Sequence, residues 1–382
     1  MNYIFQNSNK PVIIAYYLPQ FHPFKENDEW WGKGFTEWTN VGKARPLYKG
    51  HYQPKIPADL GYYDLRLPIV RQQQVELAKE AGISGFCYWH YWFGGKGRQL
   101  MNDIIDNVHN EGKPDFPFCL GWANESWKAK QWRYDGLGDK ILMEQRYEGD
   151  EDYRLHYEYA CELFKDKRYI YIDSKPFFLI YKPNQFVDIK RFISLWNQWI
   201  KEDGLAEKVY FVANMDSQED YEKFLAMGFD AVTPTYFERT ELAFKHQPLW
   251  KNFFMRFYFH YFPPYRFDYC ESSNYFFLKG IDDKEDVIPF ILPCWDHTPR
   301  SGKKGRVLVG STPLLFKKHV KHTLNGVMHK QNKLIMLKSW NEWAEGNYME
   351  PDLKWGKQYI TALKEELTCC GLISVHGIWN RM

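Results

Sequence analysis

Residues 333–351 read Lys-Leu-Ile-Met-Leu-Lys-Ser-Trp-Asn-Glu-Trp-Ala-Glu-Gly-Asn-Tyr-Met-Glu-Pro. The apolar run Leu334–Leu337 suits a short strand buried on both faces. Just past its end the character of the chain changes: Trp340, Asn341, Glu342, Trp343, Glu345 and Gly346 set two carboxylates among large rings. Ring faces exclude water from a neighbouring carboxyl, and desolvation raises its pKa toward neutrality, as an acid catalyst requires. Glu342 and Glu345 are spaced i, i+3, which in a helical turn puts their Cβ atoms about 5–6 Å apart on one face. Carboxyls separated on that scale can flank a single glycosidic bond. A solvated helix start would not need Trp340 and Trp343 interleaved with its acids.

Working outward, seven earlier apolar runs share this design, at 12–18, 83–92, 116–122, 177–181, 209–213, 231–235 and 288–295. Between them, 67–81, 153–165, 189–201, 221–227 and 313–331 carry helical periodicity. Strands alternating with helices imply βαβ units and a parallel sheet. Eight such units predict an α/β fold, a (β/α)8 TIM barrel with long aromatic-rich loops at its C-terminal face. The rival is a doubly wound open sheet, which would show a glycine-rich first turn. Tyr16-Tyr17-Leu18-Pro19-Gln20-Phe21-His22 has no glycine. One catalytic domain is expected over 1–382, with an aromatic and basic insertion at about 238–285.

A barrel places its chemistry at the C-terminal strand ends. Candidate substrate-binding residues there are His22 after the first strand, then Tyr88, Trp89 and His90, then Trp122, Asn124 and Glu125. Tyr181, Asn214 and Tyr236 follow the next three strands. Trp295, Asp296 and Arg300 follow the seventh, and Asn341 joins the candidate catalytic pair Glu342 and Glu345 after the eighth. The loop at 29–60 adds Glu37 and Trp38. Its density of Gly and Trp fits either a binding loop over the barrel mouth or an Ω-loop packed by its own rings.

Bulk properties narrow the function. The 382 residues carry a net charge of +2, which argues for no polyanionic partner and against nucleic acid. Aromatic residues make up 19% of the chain, more than one core needs, and surplus rings suit a site that docks sugars. The seven cysteines are scattered, apart from Cys369-Cys370, and show no metal-ligand spacing, so neither metal nor cofactor is expected. Reduced thiols and an N-terminus without a basic segment leading into a long apolar run suggest a cytoplasmic protein, peripheral to the inner membrane at most. Asp282-Asp283 reads as a solvated loop. Residues 242–267 contain no acid, four Lys or Arg and many rings. That segment fits either a contact with a membrane surface or an insertion whose rings pack on the barrel and roof the cleft. Its rings look too continuous for one helical stripe.

Several of these stretches resemble one family. Residues 16–22, Gly34-Phe35-Thr36-Glu37-Trp38, Gly85-Phe86-Cys87-Tyr88-Trp89-His90-Tyr91-Trp92, Trp122-Ala123-Asn124-Glu125 and Trp340-Asn341-Glu342-Trp343-Ala344-Glu345-Gly346 resemble the WbsX family, glycosyltransferases of bacterial O-antigen and capsule clusters. The last motif is also similar to that of glycoside hydrolase family 99, the endo-α-mannosidases and endo-mannanases. That resemblance implies Glu342 as the base toward the sugar 2-hydroxyl and Glu345 as the acid on the leaving oxygen, with a 1,2-anhydro sugar between the two steps. It implies an oligosaccharide or lipid-linked glycan substrate and leaves hydrolysis and transfer open. Ala344, Cys294 and His297 depart from the expected pattern. A non-catalytic glycan-binding barrel is the alternative from another class.

Overall fold

The computed structural model describes residues 3–5, 10–128 and 140–370. The N-terminal segment read for a signal therefore falls largely outside the described residues. Eight parallel strands form the centre. They are β1 Val12–Tyr17, β2 Gly85–Trp92, β3 Phe118–Trp122, β4 Lys175–Ile180, β5 Tyr210–Met215, β6 Ala231–Pro234, β7 Phe290–Ile291 and β8 Leu334–Leu337. Each pairs with its neighbour in chain order, and β8 returns to β1 with Leu334 opposite Val12. Between β6 and β7 the ladder thins to a bridge of Val232 to Val287, so the barrel is nearly closed. The rival open sheet is excluded.

Leaving aside short helices in the loops, the helices among the described residues are α1 Pro68–Ala81, α2 Asp103–Glu111, α3 Asp150–Phe164, α4 Ile189–Glu202, α5 Asp220–Leu225, α6 Tyr236–Lys245, α7 Leu249–Tyr261, α8 Pro313–Val327 and α9 Gln358–Cys369. All but α7 follow a barrel strand. α4 shows why they cover the sheet: Phe192, Ile193, Trp196 and Ile200 recur at three- and four-residue spacing, and all are buried. All eight predicted strands and all five predicted helices are present, all but the seventh strand with small shifts at their ends. The seventh run was read to 295, but its ladder stops at Ile291. Pro293 has no N–H to give to a neighbouring strand.

Two local expectations need correction. Asp282 is fully buried and paired with Arg239 at 2.9 Å rather than solvated. The 238–285 insertion consists of the rest of α6, then α7, a strand at Tyr265–Asp268 and a short helix at Tyr269–Ser273. Most rings of α7 face away from the barrel instead of roofing the cleft.

Candidate active site

The turn after β8 is held before it does any chemistry. The Asn341 side chain accepts from the Leu18 N–H at 2.7 Å and donates to the Leu18 carbonyl at 3.0 Å, locking the turn to the end of β1. Trp343 stacks on Tyr348 with centroids 3.8 Å apart, and its indole N–H reaches the buried carboxyl of Glu350. Gly346 closes the turn at φ +56°. A Cβ there would lie 2.8 Å from the Asp296 Cβ, so only glycine fits. The expected helical turn is a short 3-10 turn, Trp343–Glu345.

This framework aims Glu342 and Glu345 into a cavity of about 730 Å³ at the C-terminal face of the barrel. Glu342 accepts the indole N–H of Trp89 at 2.7 Å. Burial, reinforced by the neighbouring Glu345, pushes its carboxyl up to about 7, against the pull of Arg300, Lys338 and the Trp89 hydrogen bond. Glu345 accepts from the Arg300 guanidinium and from the Tyr236 hydroxyl at 3.3 Å. Arg300 also reaches the buried Glu37 carboxylate, at 3.1 and 3.2 Å, so one guanidinium joins two acids. Burial works against the Arg300 charge, but Glu37, Glu345 and Glu342 outweigh it and raise its pKa. Beneath the pair, buried Lys338 lies over the rings of Tyr16 at 4.1 Å, Trp89 at 5.5 Å and Tyr181 at 5.7 Å. Burial lowers its pKa, and Glu342 and Glu345 resist that fall. Three carboxylates thus face two cations. Burial raises Glu37 as well as Glu342, so this crowded floor favours holding a proton.

Of the predicted substrate-binding residues, Glu37, Trp89, Glu125, Tyr181, Tyr236, Trp295 and Arg300 line this cavity with the two glutamates. The others lie outside the lining. His22 meets Asp103 at 3.1 Å, and Trp38 donates to the Tyr63 carbonyl and packs on Phe21 and Trp343. Tyr88 packs on Tyr17, while His90 bonds His156 at 2.9 Å. Trp122 donates to the Trp92 carbonyl, and Asn124 ties Lys182 to Tyr147. Asn214 is buried, and Asn341 is the clamp described above. Asp296 is held by His51, Gln53 and Thr298. Burial opposes its charge, but His51, Lys55 and Thr298 carry it down to about 2, and it accepts from the Thr298 N–H at the start of the turn that bears Arg300. Both readings of the 29–60 loop apply: Trp31, Phe35 and Glu37 line the cavity, while Trp38 sits in a cluster of rings.

Tyr91 and Lys338 line the cavity without having been singled out. Alternation along β2 was the available signal for Tyr91, because Trp89 and Tyr91 share one face while Tyr88 and His90 share the other. For Lys338, the signal was a lone cation directly at the end of an apolar strand. The cysteines are all free thiols. Among the described residues no group of three or more His, Cys, Asp or Glu could hold a metal, and no helix is long and apolar enough to cross a membrane.

The fold is a nearly closed parallel barrel with two carboxyls at its C-terminal mouth. Residues 13–363 match the family model Glycosyltransferase WbsX, and the chain belongs to that family. It is 33% identical over 369 residues to the uncharacterized protein WxcX of Xanthomonas campestris pv. campestris strain B100, covering 94% of this chain and 50% of that protein. The chain therefore spans about half the length of the curated relatives it matches. Among solved structures, the GH99 endo-alpha-mannosidase from Bacteroides thetaiotaomicron in complex with BIS-TRIS-propane aligns with a TM-score of 0.58. Identity is 13%, over 94% of this chain and 97% of that one. A glycoside hydrolase-like protein aligns at a TM-score of 0.56 and 16% identity, covering 95% of each chain. At those identities the likeness shows the fold.

Proposed function

We propose that this chain transfers a glycosyl unit with retained anomeric configuration, in the metabolism of a bacterial surface polysaccharide of the O-antigen or capsule kind, on a lipid-linked glycan. The observation that carries the reading is the Glu342/Glu345 pair, which shares a desolvated cavity floor with two cations and aromatic walls. In the first step Glu342 takes the proton of the sugar 2-hydroxyl, and that oxygen attacks C1. Glu345 protonates the departing glycosidic oxygen as the C1–O bond breaks, leaving a 1,2-anhydro sugar. In the second step an acceptor hydroxyl attacks C1 and gives its proton to Glu345. The C1–O2 bond opens, and Glu342 returns the proton to O2. Two inversions at C1 give retention.

At rest Arg300 favours the charged form of Glu345, so the shared proton sits toward Glu342. A sugar 2-hydroxyl donating to Glu342 beside Trp89 stabilises the Glu342 carboxylate, and the proton moves to Glu345 where the leaving oxygen needs it. The family description supports a sugar hydroxyl as acceptor; water in its place gives hydrolysis. A non-catalytic glycan-binding barrel does not require two acids sharing a proton at a cavity floor.

The test uses activated aryl α-glycosides, the mannoside first, together with oligosaccharides that have poor leaving groups. Glu345→Gln is expected to lose about 10²–10⁴-fold on the latter and to recover on the aryl substrates, which need no acid. Glu342→Gln is expected to lose both activities. Full activity in both variants refutes the assignment. Saturable binding with no new anomeric signal by NMR, across all donors and acceptors tried, favours the binding protein.

A further inference from the structure

Helix α7 presents a face that nothing in the fold covers. Leu249, Trp250, Phe253, Phe254, Phe257 and Tyr261 recur at one- and four-residue steps along it, and their exposures run from 58% to 86%. Phe262 continues the stripe at 60%. Only Phe259 is buried from this helix, on the opposite side, against Tyr265 with centroids 4.8 Å apart. The rings therefore do form one helical stripe, contrary to the reading of the sequence, and it points outward. Monomeric soluble proteins rarely expose a contiguous apolar patch of this kind without a partner.

The charges say what the partner is. Lys251 and Arg256 flank the stripe on either side, Lys245 and His246 precede it, and no acid occurs between 242 and 267. Glu271, from the following helix, pairs with Lys251 at 3.1 Å, while Arg256 stays exposed over the Phe244 ring. Trp and Tyr rings beside basic side chains match the headgroup layer of an anionic bilayer, where rings reach the acyl boundary and cations meet phosphates. A second copy of the same stripe would offer no anion to these cations. Thirteen residues span about 20 Å as a helix, short of the roughly 30 Å apolar thickness of a bilayer. The helix therefore lies on the surface.

The same helix is braced to the rim of the cavity. Tyr265, on which Phe259 packs, begins a strand paired in parallel with Arg306–Val309, and Arg306 lines the cavity. Arg266 lies over Tyr48 at 4.6 Å, and Tyr48 stacks on His51, the partner of Asp296. We infer that α7 docks the barrel on an anionic lipid surface, holding its catalytic mouth at the height of glycans carried on lipid. This rests on the lipid-linked substrate named above only for its purpose. Vesicle binding is read without turnover, so the two ideas fail separately.

The experiment is flotation of the full chain with vesicles of phosphatidylcholine alone or mixed with phosphatidylglycerol, at low and physiological salt. Wild-type protein is expected to float with the mixed vesicles and less so at higher salt. Phe253→Ser with Phe257→Ser, both at exposed positions, is expected to cut the bound fraction at least about tenfold with an unchanged melting temperature. Arg256→Gln is expected to cut it about fivefold, on the anionic vesicles only. No flotation at low salt overturns the inference, as does equal flotation of the variants. A wild-type dimer that the double Phe variant splits into monomers, without flotation, overturns it in favour of a second copy.

Discussion

Replacing Glu342 with Gln is expected to abolish activity and, above neutral pH, to make the protein more stable. The carboxyl sits against Trp89 with only 8% of the residue exposed, and its folded-state pKa rises from the ordinary 4.5 to about 7. A carboxyl raised in this way binds its proton more tightly folded than unfolded. Its stabilising contribution is fully present below about 4.5 and is lost as pH rises through about 7. Carried through that shift, the ionised group costs the fold about 3 kcal/mol at pH 8. Gln is neutral at every pH, keeps an oxygen for the Trp89 N–H and fills the same volume. Part of that cost is already present at pH 5, so the advantage of the variant should grow by about 2–3 kcal/mol between pH 5 and pH 8. For a chain of this length that is about 3 °C in melting temperature.

Differential scanning fluorimetry of wild type and Glu342→Gln from pH 5 to 8.5 measures this directly. The substitution also carries an offset that does not depend on pH, so the slope of the difference is the quantity of interest. Glu345→Gln is the contrast, because it takes from Arg300 a partner that helps hold its charge. A flat difference for Glu342→Gln across the range, or one that falls with pH, would falsify the shared-proton account of the floor. Retained activity would remove Glu342 from the chemistry altogether.

Two further outcomes follow from the same geometry. Arg300→Met leaves Glu37, Glu342 and Glu345 facing Lys338 alone, which raises the proton affinity of the pair. kcat/KM at pH 7 is expected to fall about 100-fold, with the pH optimum moving upward, and an unchanged profile would show that Arg300 does not set the charge of the pair. Trp89→Phe keeps a ring against Tyr16, now 4.8 Å away, and deletes the N–H that holds Glu342. Losing a hydrogen bond to a charged group, about 1.5–3 kcal/mol, corresponds to about 10- to 100-fold in kcat, and wild-type kinetics would mean the contact does not position the base.

The barrel was legible because its strands are buried on both faces. Apolar runs such as Leu334–Leu337 carry no competing signal, and polar-aromatic residues begin where each strand meets the mouth. The site was legible only in part, because chemistry-bearing residue types occur on both faces of a strand end. Trp89 and His90 are neighbours of equal promise in sequence. The pleat sends one to Glu342 and the other back to His156 beneath the helices. Period-two alternation would have separated them, and would have joined Tyr91 to Trp89. Asp296 escaped correct placement for another reason: its partners His51 and Gln53 come from a loop more than two hundred residues away. Helix α7 misled because a run of rings normally means burial. Its outward orientation depends on which single residue, Phe259, meets Tyr265.

A raised pKa does not by itself single out a carboxyl that takes part in chemistry. Glu350, in the same stretch of chain, is also pushed up to about 7, by burial, although it accepts from Trp343 at 2.6 Å, Gln74 at 2.7 Å and Tyr63 at 2.8 Å. Those donors fix the strand end, α1 and the loop under Trp343 around a single carboxyl, and the group does not line the cavity. Glu342 has one indole donor, an acidic neighbour and an open side facing the cavity. A proton on Glu350 is shut in by its donors, whereas in the proposed mechanism the proton of the Glu342/Glu345 pair has a second site and a path to the sugar. Desolvation raises both carboxyls, and access distinguishes the one that can react from the one that holds the turn in place.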